Sequence, residues 1–263
     1  MWQLIVILLF FLILLEMLMS IFGQYYQKKL LILPIKPDPE ARHIFWTGGY
    51  DSTFRLCQAL ICEKKKVQPI YLQIWNMDSE NGIQAKRKNL EQELRSQELI
   101  RANLIKKFPE VQREGRLLPT LIVTHIPSNK ALTDAYVRLH EELGYFGRRI
   151  TQYERMARFS WFYPYSIDVG LEKCGTGLDR ATQFNRVGHG DECQLKTDLA
   201  KKYRDLQVFR HFRYPIVHLT KHQMLDIARA WEFEDIVSQS WSCWYPKNGR
   251  PCGRCEMCKH RII

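Results

Sequence analysis

A strand, a glycine loop and a helix follow one another near the start of the polar part of the chain. No other feature constrains the fold as strongly. From His43 the sequence reads HIFW-TGGYDST-FRLCQAL. Gly48 and Gly49 can adopt backbone angles closed to other residues and let a ligand approach the main chain. The loop opens a helix, whose free N–H groups attract phosphate. Three hydroxyl donors accompany it: Thr47, Ser52 and Thr53. The spacing matches neither GxxxxGK(S/T) nor GxGxxG, which excludes both of those phosphate-binding motifs.

Short runs of β-forming residues alternate with helical runs from His43 onward. The predicted strands cover residues 43–46, 67–75, 117–126, 166–171 and 213–217. The predicted helices cover residues 52–64, 86–108, 151–162 and 221–231, the last with Thr220 as its cap. Residues 168–198 are rich in Gly, Thr and Asn and are predicted to form a long loop region. The alternation predicts an α/β fold around a mostly parallel sheet.

The first 23 residues predict a membrane anchor. Residues 2–22 read WQLIVILLFFLILLEMLMSIF, and about 20 apolar residues suffice to cross the hydrocarbon core of a bilayer. No basic residue precedes the run and no A-x-A pattern follows it, unlike a secretory signal peptide. A buried core helix is the alternative, but a core helix of this length should show a polar face.

Basic residues follow this apolar run and none precedes it, as the positions of Lys28, Lys29, Lys36 and Arg42 show. The positive-inside rule therefore places the rest of the chain in the cytosol. The sequence predicts a single hydrophobic helix over residues 1–23, a proline-containing tether over 24–42 and one domain over 43–263.

The charge balance is basic, with 39 Lys+Arg against 28 Asp+Glu and a formal net charge of +11. Such a surface favours phosphate-bearing partners without distinguishing nucleotide, RNA and anionic lipid. With 46% hydrophobic residues, the composition is that of a globular protein and excludes a disordered chain.

Four cysteines near the C-terminus are spaced C-x8-C-x2-C-x2-C: Cys243, Cys252, Cys255 and Cys258. Four thiolates at this spacing are typical of the closed tetrahedral shell of structural zinc, and cations nearby would offset their charge. An iron–sulfur cluster is the alternative, although no cysteine follows at the ferredoxin spacing. Eight cysteines in all are too sparse for a disulfide scaffold. The remaining four are expected to be small apolar or loop residues: Cys57, Cys62, Cys174 and Cys193.

Two central segments hold further candidates. Residues 174–177 read CGTG and predict either a nucleotide- or base-facing loop or a plain surface turn. Asp179 and Arg180 follow as candidate substrate contacts. The segment GHGDEC carries metal-capable side chains and is predicted to be a loop: His189, Asp191 and Cys193.

The heptapeptide TGGYDST resembles the SGGxDS(S/T) pyrophosphate loop of the PP-loop ATP pyrophosphatases, with Thr47 in place of the usual serine. This resemblance implies an adenine-nucleotide α-hydrolase-like (PP-loop/HUP) domain. It also implies that ATP and Mg²⁺ bind at the loop and that Asp51 and Ser52 take part in catalysis. The nucleotide-binding residues implied are Thr47, Gly48, Gly49, Asp51, Ser52 and Thr53.

The C-terminal region resembles the 7-cyano-7-deazaguanine synthase (QueC) family. YPIVHLTKHQMLDIA is similar to a strand–helix segment of that family, and SQSWSCWYP with CGRCEMCKHR is similar to its cysteine-containing close. The resemblance implies an enzyme of queuosine biosynthesis that uses ATP and ammonia to convert a 7-carboxy-7-deazaguanine to the nitrile through an adenylate, with a structural zinc. The family's usual turn after the second strand and its Y-P-D-C-R stretch are replaced here.

Two alternatives remain open on the sequence alone. The first is another PP-loop adenylating enzyme that acts on tRNA or on a different acid, which the basic charge allows. The second is a non-catalytic nucleotide-binding scaffold at a membrane, which the altered central region allows and the retained Asp51 and Ser52 disfavour.

Overall fold

The structure is a computed structural model, and it describes residues 33–73, 89–142, 152–173 and 204–259, together with residues 14, 31, 76–77, 85–86, 186–187 and 194–195. The strands in this part of the chain are β1 (Arg42–Phe45), β2 (Val67–Leu72), β3 (Asn76–Met77), β4 (Ala85–Lys86), β5 (Leu121–Val123), β6 (Ile167–Asp168), β7 (Arg186–Val187), β8 (Gln194–Leu195) and β9 (Phe212–Arg213). The α-helices are α1 (Tyr50–Cys57), α2 (Leu90–Lys107), α3 (Pro109–Arg113), α4 (Lys130–Glu142), α5 (Gln152–Phe162), α6 (Lys221–Ala230), α7 (Glu234–Val237) and α8 (Glu256–Lys259). A π-helical turn (Gln58–Cys62) extends α1, and a 3₁₀ helix (Arg204–Phe209) precedes β9.

Five parallel strands form one sheet in the order β5–β2–β1–β6–β9. In chain order these are the third, second, first, fourth and fifth strands of the sheet. The central strand β1 pairs with β2 on one side, where Arg42 lies opposite Val67. On its other side it pairs with β6, where Ile44 lies opposite Asp168. The strand order reverses between β1 and β6, and in doubly wound sheets the crevice at the carboxyl ends of such a pair holds the ligand.

Helices cover both faces of this sheet. Alternate residues of β1 enter different cores, because side chains alternate across a strand. Ile44 packs with α1, α2 and α6 in one hydrophobic cluster, and Phe45 packs with α4 and α5 in the other. The predicted α/β fold with a parallel sheet is thus confirmed.

A network of buried charges joins α1 to strands β6 and β9. Asp168 is fully buried and accepts hydrogen bonds from Arg55 Nε at 2.9 Å and Arg213 Nε at 2.7 Å. Arg55, itself fully buried, also pairs with Glu63. Each charge in this network has an oppositely charged partner, which buried charges require.

The predicted strands and helices recur in the structure with shifted ends. The cap predicted at Thr220 is present and forms a capping box, since its hydroxyl accepts from the Gln223 N–H at 3.3 Å and Gln223 Oε1 accepts from the Thr220 N–H at 2.9 Å. The helix α4 was not predicted. Part of the predicted tether contacts the domain, because Leu33 packs on the core and Asp38 pairs with Lys66 at 3.1 Å.

Within the described residues no helix has the length and apolarity needed to cross a membrane. The predicted anchor over residues 1–23 lies outside those residues, except for Leu14.

Candidate nucleotide and metal sites

The glycine loop lies at the carboxyl end of β1, at the point where the strand order reverses. Gly48 has a φ of +77°, and a Cβ atom there would lie 3.0 Å from the Glu93 carbonyl oxygen of α2. The position therefore requires glycine both for its backbone angle and for the close approach of α2.

The hydroxyl and main-chain groups of the loop make hydrogen bonds with one another, and these bonds are long. Ser52 Oγ lies 3.3 Å from both Thr47 N and Thr47 Oγ1 and donates to the Gly49 carbonyl at 3.2 Å. The Gly49 N–H donates to Thr47 Oγ1 at 3.3 Å. Because these bonds are at the weak end of the usual range, phosphate oxygens could replace them with shorter, charge-assisted ones.

Thr53 differs from the other hydroxyl residues of the loop. It is fully buried, and its hydroxyl accepts a hydrogen bond from Trp46 Nε1 at 3.1 Å. Its side chain is therefore engaged in the core beneath the loop, and its role as a nucleotide ligand stays a prediction.

Three buried polar residues of α2 lie beside the loop: Glu93, through its main-chain carbonyl, and Ser96 and Gln97, through their side chains. Gln97 Nε2 donates to the Trp46 carbonyl at 3.2 Å, and Glu93 accepts from the Tyr71 hydroxyl at 2.7 Å. Sequence reasoning missed these residues because it sought an apolar face on this helix. Their helical spacing, at positions three and four apart, was the available signal.

Asp51 lies in the first turn of α1, beside a cation and a second carboxylate. Lys221 Nζ, at the start of α6, is 3.9 Å from Asp51 Oδ1 and 3.2 Å from Glu172 Oε1. Burial raises the pKa of Asp51 to about 6, and Glu172 adds to that rise while Lys221 opposes it. Neither Lys221 nor Glu172 was predicted as a site residue, although Lys221 lies in the segment YPIVHLTKHQ that carries the family resemblance.

The segment after α7 also makes hydrogen bonds to the glycine loop. The Trp241 N–H donates to the Gly48 carbonyl at 2.8 Å, and the indole Nε1–H of Trp241 donates to the Cys243 carbonyl at 2.8 Å. Ser96 Oγ lies 3.2 Å from the Gly48 carbonyl and 2.9 Å from that of Gln239, so it can donate its proton to either. The two ends of the domain in sequence thus meet at one place.

The four cysteines of the C-terminal cluster come together as their spacing predicts. Their sulfur atoms all lie within 4.8 Å of one another. Cys255 Sγ is 3.5 Å from Cys258 Sγ and 3.9 Å from Cys243 Sγ, and Cys252 Sγ is 3.9 Å from Cys258 Sγ. Zinc–sulfur bonds of about 2.3 Å in a tetrahedron place the sulfurs about 3.8 Å apart. The arrangement is therefore consistent with zinc.

Main-chain N–H groups favour the thiolate form of Cys252, whereas burial raises the pKa of Cys243 and of Cys258. The N–H groups of Arg254 and Cys255 lower the pKa of Cys252 to about 6. Thiolates are the form that binds metal. Four cations close to these cysteines in sequence are exposed: Lys247, Arg250, Arg254 and Lys259. Arg261, the fifth residue expected to offset the thiolate charge, lies outside the described residues.

Several predicted residues lie outside the described part of the chain. They are Cys174 with the CGTG segment, Asp179, Arg180, His189, Asp191 and Cys193. Two described cysteines lie outside the metal cluster, Cys57 and Cys62. Cys57 is fully buried in the core around α1, as expected for a small apolar residue.

The described residues thus define an α/β protein with a candidate phosphate-binding loop at the switch point of its sheet and a candidate metal site against that loop. The family model described as queuosine biosynthesis protein QueC matches residues 191–262. This match confirms the resemblance to the 7-cyano-7-deazaguanine synthase family over the C-terminal part of the chain. The searches of the curated proteins and of the solved structures found no match.

Proposed function

We propose that the chain is an ATP-dependent ligase that resembles 7-cyano-7-deazaguanine synthase. Its substrates would be a 7-carboxy-7-deazaguanine, ammonia and ATP, and its products the corresponding nitrile, AMP and pyrophosphate. The domain over residues 43–263 would be of the PP-loop type. Queuosine biosynthesis is the process that the family model names.

One observation carries this proposal. The segment that matches the family model places the Trp241 N–H on the carbonyl of Gly48, inside the loop that resembles a pyrophosphate-binding loop. Two resemblances found at separate ends of the sequence therefore concern one site. A chance match of either motif would not be expected to bring the two into contact.

The residues of the loop suit the first chemical step. Thr47, Gly49 and Ser52 present hydroxyl and N–H donors that would hold the pyrophosphate part of ATP. Lys221 lies close enough to Asp51 to neutralise charge that develops on the phosphates, since fixed cations stabilise such charge during reaction. Asp51, with Glu172 nearby, would hold the Mg²⁺ that accompanies ATP, because carboxylate oxygens are preferred Mg²⁺ ligands.

Adenylation solves a definite chemical problem. A carboxylate is a poor electrophile because its leaving group would be oxide, whereas an acyl adenylate releases AMP. Ammonia would displace AMP to give the amide. A second ATP would adenylate the amide oxygen with release of pyrophosphate, and departure of that oxygen with AMP, together with loss of the N–H protons, would leave the nitrile. The protein's contribution is to hold acid and ATP side by side.

Zinc at Cys243, Cys252, Cys255 and Cys258 would be structural. Four protein ligands leave no open position on a tetrahedral ion, and structural zinc adds folding energy. The division into an anchor over residues 1–23, a tether over 24–42 and the enzyme domain is part of the same proposal, as is the cytosolic placement of that domain.

The proposal is tested by incubating the purified full chain with ATP, Mg²⁺ and 7-carboxy-7-deazaguanine, with and without ammonia. We expect AMP and pyrophosphate only when the acid is present, and nitrile only when ammonia is added as well. ADP formation, or no turnover with this acid, would contradict the proposal. AMP formation with tRNA or with another acid would instead identify a different PP-loop enzyme.

A pair of serine variants distinguishes the loss of a loop hydroxyl from the loss of a serine hydroxyl elsewhere in the fold. Ser52→Ala removes a hydroxyl inside the loop, and we expect at least a tenfold loss of AMP formation. Ser128→Ala removes a hydroxyl from an exposed serine and should leave the rate unchanged. Equal rates for the two variants would contradict a role for the loop in catalysis.

A further inference from the structure

Trp241 links the two candidate sites, because it donates one hydrogen bond to the glycine loop and one to the cysteine cluster. Its main-chain N–H donates to the Gly48 carbonyl in the loop, and its indole Nε1–H donates to the carbonyl of the metal-site residue Cys243, each at 2.8 Å. The neighbouring Trp244 has about half of its surface exposed. Within the described residues, Trp241 is the tryptophan whose hydrogen bonds join the loop to the cluster.

The bond to Gly48 fixes the direction of a donor in the loop. The peptide between Gly48 and Gly49 is planar and trans, so its C=O and N–H point in opposite directions. While Trp241 holds the Gly48 carbonyl, the Gly49 N–H must point away from Trp241, toward Thr47 Oγ1 at 3.3 Å. That is the side on which the loop hydroxyls lie.

The segment that carries Trp241 is held at both ends. On one side, Asn103 Nδ2 donates to Gln239 Oε1 at 2.7 Å. On the other, the buried sulfur of Cys243 accepts from the Cys252 N–H at 3.2 Å and lies 3.9 Å from Cys255 Sγ. A metal ion bound by the four sulfurs would fix the second end, because it would tie Cys243 to three other residues.

We infer that Trp241 is a positioning residue that couples metal binding at the cysteine cluster to the phosphate-binding conformation of the glycine loop. The inference rests on the proposed function, since it takes the loop to bind the phosphates of ATP. It goes beyond a structural role for the metal by making nucleotide affinity depend on metal occupancy. Coupling of this kind is reciprocal, so a bound nucleotide must also tighten metal binding.

The experiment uses the full zinc-loaded chain and α,β-methylene-ATP with Mg²⁺, measured by calorimetry. Trp241→Phe keeps the ring and the main-chain N–H but removes the indole donor. We expect it to retain its zinc and to bind the analogue about three- to tenfold more weakly, as the loss of one hydrogen bond implies. The matched control is Trp244→Phe, which should bind as tightly as the wild type.

The second measurement follows, at equilibrium, how zinc divides between the chain and a chromogenic chelator. We expect the analogue to raise the zinc affinity of the wild type and of Trp244→Phe, and to raise that of Trp241→Phe much less. Equal analogue affinity in the two variants, or a zinc affinity of the wild type that the analogue does not change, would overturn the inference. If the zinc-loaded wild type binds no analogue at all, the proposed function fails with it. The two failures are therefore distinguishable.

Discussion

Gly170 packs directly against the main chain of Ser52. A Cβ atom on Gly170 would lie 2.9 Å from the Ser52 nitrogen and 2.9 Å from the Asp51 carbonyl carbon. Gly170 follows β6, and Ser52 lies in the first turn of the helix that follows β1. The absence of a side chain at position 170 thus allows the first turn of α1 to approach the end of β6 at the switch point of the sheet.

Gly170→Ala should displace the start of α1, because the added methyl group would meet main-chain atoms, which cannot rotate away as a side chain can. We expect a loss of roughly 1–3 kcal/mol in the free energy of unfolding, as for other overpacked positions, and weaker binding of α,β-methylene-ATP. Urea unfolding and calorimetry measure the two effects. Unchanged values in both would show that the turn tolerates a methyl group.

Two glycines with positive φ provide a matched pair for the loop itself. Gly48→Ala and Gly115→Ala both place a side chain on a left-handed backbone, at φ values of +77° and +61°. Each substitution should cost about 1 kcal/mol for the backbone angle alone. Only Gly48→Ala adds a contact of 3.0 Å with the Glu93 carbonyl, since nothing lies within 4 Å of a Cβ at position 115.

We therefore expect Gly48→Ala to be the less stable of the two in urea unfolding and to lose nucleotide binding. Gly115→Ala should bind as the wild type does. If both variants lose the same stability and both bind the analogue, the approach of α2 does not shape the loop.

Asp51 should destabilise the nucleotide-free protein at neutral pH. Burial raises its pKa from 3.8 to about 6, so the folded state binds the proton more tightly than the unfolded state does. Stability attributable to this group therefore falls as the pH rises from about 4 to about 6, and the full penalty is present above that range. A rise of this size corresponds to at most about 3 kcal/mol.

Asp51→Asn removes the penalty. We expect the variant to be more stable than the wild type at pH 7.5, with the difference disappearing below pH 4, as measured by urea unfolding across this range. The same variant should lose AMP formation, since the carboxylate is proposed to hold Mg²⁺. A variant less stable than the wild type at pH 7.5 would contradict the effect of burial.

The buried charge network should depend on Asp168. Asp168→Asn leaves Arg55 and Arg213 without their shared carboxylate, and breaking a buried pair in this way costs about 3–5 kcal/mol. The control is Asp134→Asn, which breaks an exposed pair with Lys130 and should cost no more than about 1 kcal/mol. Chemical denaturation of both variants makes the comparison, and similar losses would refute the assigned role of the network.

Metal content provides a test that does not depend on activity. We expect about one zinc per chain by elemental analysis, as a four-thiolate site implies. Cys255→Ser should lose most of it and unfold at a lower temperature. Cys62→Ser, which changes a cysteine outside the cluster, should retain the metal. Zinc absent from the wild type would remove the metal site from the proposal.

The fold could be predicted from the sequence because its signals are local. The β1 strand and α1 carry clear hydrophobic patterns, and Thr220 with Gln223 forms the capping box that marks the start of α6. The unpredicted α4 also has a local signal, since Asn129 Oδ1 accepts from the Leu132 N–H at 3.1 Å as a helix cap does.

The candidate site could be predicted only in part, because half of it is made by contacts distant in sequence. The glycines and cysteines are visible as motifs. The polar residues Ser96 and Gln97 lie on a helix with a weak apolar pattern. Their spacing from Glu93 places them on one face of that helix, but it does not show that this face meets the loop. Glu172 is recognised as part of the candidate site only in the structure, where its Oε1 lies 3.2 Å from Lys221 Nζ.

The contact between Gly48 and Trp241 also has a consequence for biosynthesis. The loop leaves the ribosome before the residue that orients its carbonyl, because most of the domain lies between Gly48 and Trp241 in sequence. Contacts between such distant segments form late because the intervening chain must first be ordered. The β1 loop of the nascent chain therefore has no Trp241 donor until Trp241 itself has emerged, so ATP binding of the proposed kind is delayed until then.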